Sequence, residues 1–184
     1  MKRIILAVLL LSVGAYSQPS TQQNTTNGDR LSQRSQERII KEVHHELVML
    51  PFYGVFDNLA YQVAPDGTVT LVGQVSRPVL KSDAERAVKS IEGVERVVNN
   101  IQVLPTSPND DRIRRETYRA IYGNEVLNQY QMRAVPPIHI IVDNGHVTLE
   151  GVVARQMDKQ IAEMQAKSVP GVFSVTNNLK VENE

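Results

Sequence analysis

The 184-residue sequence predicts an α+β fold of two tandem αββαβ modules, each a three-stranded mixed sheet covered on one face by two helices. Three observations carry that prediction. Residues 67–103 align without a gap on residues 145–181, with 18 identities in 37 positions. In each copy the apolar period is first helical, then two, then helical again, then extended. Asn144-Gly145 stands between two alternating runs, a strong hairpin signal because both turn residues need positive φ. A fixed internal period marks one repeated unit, and it is settled before any element is assigned.

Each copy opens with an amphipathic helix, because Ile39, Val43 and Leu47 recur every four residues, as do Ile113, Thr117 and Ile121. Asn109 or Asp110 is the expected N-cap of the second of these helices. In copy two a two-residue Asn144-Gly145 turn pairs Val142 with Val147, Ile140 with Leu149 and Ile138 with Gly151. His139 then faces Glu150, and Asp143 faces His146, as cross-strand charge pairs on the outer face. Copy one needs a three-residue loop, Pro65-Asp66-Gly67, to bring its apolar residues to one face. That loop pairs Val63 with Val69, Tyr61 with Leu71 and Leu59 with Gly73.

The second helices carry Ala84, Val88 and Ile91, or Ala162, Ala166 and Val169, and Ser82 with Glu85 reads as a capping box. Gly93 and Gly171 end these helices. A last strand through Val97 and Val103, or Val175 and Val181, returns parallel by a right-handed crossover. Gly73 and Gly151 fall on the inward faces of their strands, where a missing side chain would let a helix pack closely.

Outside the repeat, residues 1–17 have the Lys2-Arg3 charge, short apolar core and Ala15-Tyr16-Ser17 ending of a secretory signal peptide, with cleavage after Ser17. The apolar run is too short to span a bilayer, and no later segment reaches the ~18 apolar residues of a membrane span. Residues 18–28 read as a polar tether and residues 29–104 as the first module. Residues 105–108, bounded by two prolines, form the linker, and residues 109–182 the second module. The chain has no cysteine, which excludes disulfides, thiol catalysis and a lipid-modified cysteine, and points to a bacterial envelope. Without Lys2 and Arg3 the chain has 18 basic and 20 acidic residues, a net −2 that offers no global attraction for nucleic acid.

Gly-x-Val-Thr-Leu-x-Gly-x-Val, a helix, then Gly-Val-x-x-Val-x-Asn-Asn-x-x-Val occurs from Gly67 and again from Gly145. This pattern resembles the BON domain, and two copies behind a signal peptide are similar to the OsmY-like periplasmic proteins of bacteria. The resemblance implies an αββαβ fold and a non-enzymatic periplasmic role. That role is association with phospholipid or an envelope protein and support of the envelope under osmotic stress. A chaperone-like or structural stress protein without a defined small ligand is the alternative.

The sequence offers few sites for chemistry. His44 and His45 point about 100° apart on a helix, and no metal or cofactor is expected. No nucleophile, base and orienter cluster, so no enzyme is expected. Arg112, Arg114, Arg115 and Arg119 crowd the opening helix of copy two, where guanidinium would match phosphate headgroups. Asp110, Asp111 and Glu116 dilute them, so a solvated, salt-bridged face is the competing and favoured reading. Met157, Ile161 and Met164 extend the apolar stripe of the last helix and mark a candidate interface with the other module or a partner.

Overall fold

The computed structural model describes residues 32–133 and 135–182. The expected signal peptide and most of the chain before the first helix lie outside the described residues. The first module runs α1 (Gln33–Val48), β1 (Asn58–Val63), β2 (Thr68–Val75), α2 (Pro78–Lys89), β3 (Arg96–Asn99) and β4 (Gln102–Val103). The second runs α3 (Pro108–Tyr122), a 3-10 turn (Asn128–Met132), β5 (Ile138–Asp143), β6 (His146–Val153), α4 (Gln156–Lys167), β7 (Ser174–Asn177) and β8 (Lys180–Val181). In each module an antiparallel hairpin supplies the first two strands, and the final segment pairs parallel with the second. Two cores result, one per module. Ile39, Val43, Leu71, Leu80 and Val88 sit in the first, and Ile113, Ile121, Ile140, Leu149 and Ala166 in the second. Each fully buried aliphatic side chain contributes about 1.5–3 kcal/mol relative to exposure.

Both hairpin registers are as the alternation predicts. Asn144 and Gly145 have φ of 51° and 79°, the two positive values that the two-residue turn requires. In copy one Ala64 N–H donates to Thr68 O at 2.8 Å, which closes a three-residue loop with Gly67 at φ 78°.

Four expectations need correction. The expected third strand is split, β3 from β4 and β7 from β8, by the paired asparagines. Asn99 Nδ2 donates to Lys81 O at 2.9 Å while its Oδ1 accepts from Ile101 N–H at 3.2 Å. Asn177 does the same with Lys159 O and Leu179 N–H. The resulting kink turns Ile101 and Leu179 into the cores. Secondly, Gly73 and Gly151 make room for a strand rather than a helix. A Cβ would lie 2.0 Å from Asn58 O in one and 1.9 Å from Pro137 O in the other.

The helix starts also differ. Ser107, not Asn109 or Asp110, caps α3, and Pro108 begins the helix because its fixed φ suits the first turn. Asp110 is buried instead and accepts from Asn144 and Gly145 N–H at 3.0 and 2.8 Å, tying the helix to the hairpin turn. Likewise α2 begins at Pro78, so Ser82 lies inside it and donates to Val79 O rather than forming a capping box.

Candidate binding groove between the modules

The outer edge of β5 explains how the modules meet. Backbone groups of Ile138, Ile140 and Val142 point away from β6 and need partners, since an open strand edge pairs indiscriminately. Tyr122, buried on α3, donates its hydroxyl to Ile138 O at 2.6 Å and accepts from Ile138 N–H at 3.2 Å. Burial pushes that phenol well above the usual tyrosine range. Arg114 donates to Val142 O at 2.7 Å. Between them, Ile140 N–H donates at 2.7 Å to the carbonyl of Val55, a residue of the first module. Val55 and Phe56 pack against the core of the second module. Phe56 meets Tyr118 edge-on, with ring centroids 6.2 Å apart.

The 53–57 segment is held from inside its own module as well. Asp57, 2 % exposed, accepts from Ser76 N–H at 2.7 Å, from Ser76 Oγ at 2.8 Å and from Gly54 N–H at 3.2 Å. On its other side the Tyr53 ring lies 5.7 Å from the imidazole of His139. Ile141, on the open face of the second sheet, is also buried, beside Gln74, Gln102 and Leu104 of the first module.

Where the segment crosses α3, a groove of about 610 Å³ opens between the modules. Gly54, Val55 and Phe56 form one wall, Arg115, Tyr118 and Arg119 of α3 another, and Gln131, Arg133 and Pro136 the third. The lining includes three guanidinium groups and no carboxylate. Among the described residues, none of the three arginines makes an ion pair, whereas Arg112 and Arg114 do. A cavity of this size, part apolar with a few convergent polar groups, has the character of a small-ligand site.

The structure therefore divides the sequence-predicted arginine cluster. Arg112 pairs with Glu116 at 2.7 Å and donates to Pro170 O, and Arg114 is buried, pairs with Asp111 and caps β5. Arg115 and Arg119 turn to the groove, where they meet Arg133. Arg133, Phe56 and Val55 were not signalled by the repeat, because they lie in the segments before the hairpins, where the copies do not align. Met157 and Met164 are 62 % and 59 % exposed. Their helix packs on α3, β6, β7 and β8 of its own module, so the contact between modules is made elsewhere. His139 faces Glu150 and Asp143 faces His146 as expected, but among the described residues neither pair makes an ion pair. His146 Nδ1 lies 2.7 Å from Ser174 Oγ, and His139 is covered by the first module.

With two modules of this topology, each repeating the same glycines and paired asparagines, the class is a tandem αββαβ protein. The chain belongs to the BON domain family, whose profile matches residues 53–105 and 109–183. It is 31% identical over 123 residues to the osmotically-inducible protein Y of Escherichia coli (strain K12). That match covers 62% of this chain and spans 57% of the length of that relative. Among solved structures, the chain is similar to the C-terminal domain of CdsD, the structural protein of the type III secretion system of Chlamydia trachomatis. The TM-score is 0.28 at 13% identity, covering 78% of this chain and 96% of that one. At that score the likeness adds nothing to the fold assigned above.

Proposed function

We propose that this protein is an exported, non-enzymatic component of the bacterial envelope that associates with anionic phospholipid through the groove between its modules. Its BON domains and its likeness to a protein named for osmotic induction support a role under osmotic or envelope stress. The signal-peptide pattern of residues 1–17 supports a periplasmic location.

The observation that carries the reading is the convergence of Arg115, Arg119 and Arg133 with no acidic partner in the lining. Three like charges facing one cavity repel each other, and an anion relieves that repulsion. Guanidinium matches phosphate bidentately, and Phe56, Val55, Tyr118 and Pro136 give the apolar part of a lipid a surface beside the charges. Co-sedimentation with vesicles of defined composition tests this. Binding is expected with phosphatidylglycerol and not with phosphatidylcholine, and is expected to weaken with salt, because screening reduces exposed charge contacts. Absence of binding to either lipid, together with suppression of client aggregation, would favour the chaperone-like alternative, for which the exposed Met157 and Met164 would be the contact surface.

A further inference from the structure

The groove belongs to neither module alone, because one of its walls is the 53–57 segment of the first module, held in place against the second. Besides the packing of Val55 and Phe56 on the second core, two features at β5 hold it there. One is the hydrogen bond from Ile140 N–H to Val55 O, and the other is the packing of the segment over His139, one residue away on β5. Tyr53 and Asp57 of the segment face the imidazole, and Glu150 faces it from β6. His139 Nδ1 is buried without a hydrogen-bond partner. The imidazole is therefore enclosed by the part of the first module that forms the groove wall.

We propose that His139 is the positioning residue of this wall, and that its protonation releases the 53–57 segment and dismantles the groove, making ligand binding acid-labile. The phospholipid consequence rests on the function proposed above, whereas the undocking of the segment does not. Burial is the largest influence on His139 and lowers its pKa below the usual histidine range. The carbonyls of Asp57 and Gly54 and the carboxylates of Asp57 and Glu150 act in the opposite direction. The sign follows. A histidine held neutral in the docked state supports docking fully above the range of the undocked group. That support is lost as the pH falls through this range towards the docked value. The rest of the site does not titrate there, since arginine and a phosphodiester both stay charged. The ratio of docked to undocked protein changes about tenfold for each pK unit separating the two states of His139.

The test uses the full chain between about pH 7.5 and pH 5, where histidine is the side chain that ordinarily titrates. Two quantities are read: hydrogen-exchange protection of the Ile140 amide without ligand, corrected for intrinsic pH dependence, and affinity for dihexanoyl phosphatidylglycerol. In the wild type both are expected to fall with acid. In H139F, which keeps a ring against Tyr53 but cannot be protonated, both are expected to stay level. That comparison also separates His139 from His146, which lies beside Leu104 in a second junction cavity. Acid-independent protection of Ile140 in the wild type would overturn the proposal, and so would an acid-sensitive H139F. If H139F does not fold, the wild-type Ile140 measurement still decides. Loss of Ile140 protection with acid, but no lipid binding at any pH, would remove the phospholipid reading and leave the latch standing.

Discussion

Replacing Tyr122 by phenylalanine isolates the closing of the β5 edge, on which the junction depends. The ring is buried, 2 % exposed, and its hydroxyl both donates to Ile138 O and accepts from Ile138 N–H. Phenylalanine keeps the packing and removes both partners, leaving a buried carbonyl and a buried N–H unpaired. Each such group costs about 1–3 kcal/mol, so a destabilisation of roughly 2–4 kcal/mol is expected if water reaches part of the edge. For a module of this size that corresponds to a fall in Tm of about 4–8 °C per kcal/mol. Urea denaturation followed by circular dichroism gives the midpoint shift at constant m-value. The control is Tyr118→Phe, because the Tyr118 hydroxyl accepts only from exposed Gln131. Its change is expected to be within about 0.5 kcal/mol. A Tyr122→Phe change equally small would refute the claim that this hydroxyl closes the edge.

Three further outcomes rest on the geometry. Gly151→Ala would place a methyl group 1.9 Å from Pro137 O at φ 119°, so the variant is expected to lose well over 3 kcal/mol or fail to fold. Gly54→Ala, with nothing within 4 Å of the added methyl, is expected to leave the urea midpoint nearly unchanged. Tyr53 is pushed up to about 12 by burial, so the difference in ultraviolet titration between the wild type and Tyr53→Phe should show it ionising well above the ordinary tyrosine value of 10, as Tyr122 also should. The docked state favours the neutral phenol, so its contribution is complete below about pH 10 and is lost as the pH rises towards 12. A phenol that ionised at the ordinary value would mean that Tyr53 is not buried in solution.

The duplication made the modules legible in the sequence. Glycine and asparagine signals recur in both copies, and alternation alone fixes each hairpin register, including the longer turn at Gly67. Where one residue type can serve two purposes, the reading failed. Ser82 has the spacing of a capping box, but Pro78 starts the helix a turn earlier. Gly73 reads as room for a helix, yet the neighbouring strand takes the space. Of the groove, only Arg115 and Arg119 were visible in advance, because four arginines on one helix stand out whatever surrounds them. Which two are free depends on long-range partners such as Val142 O and Pro170 O, which helical spacing does not encode. Phe56 and Arg133 come from the segments that join helix to hairpin, where the copies diverge and no period marks a residue. Ile141 likewise breaks the polar pattern of its face, and it lines a cavity with residues far away in sequence, Gln74, Gln102 and Leu104.

The proposed lipid site consists of Arg115, Arg119 and Arg133, which make no ion pair among the described residues. The most direct measurement compares the wild type, R115Q/R119Q/R133Q and the surface control R86Q for affinity to phosphatidylglycerol vesicles at low salt. A basic residue at an anionic surface contributes about 1 kcal/mol, so the triple variant should bind roughly 100-fold more weakly. The control, whose arginine pairs with Asp83 on α2, should bind like the wild type. Equal affinity of the triple variant and the wild type would show that these arginines do not hold the lipid.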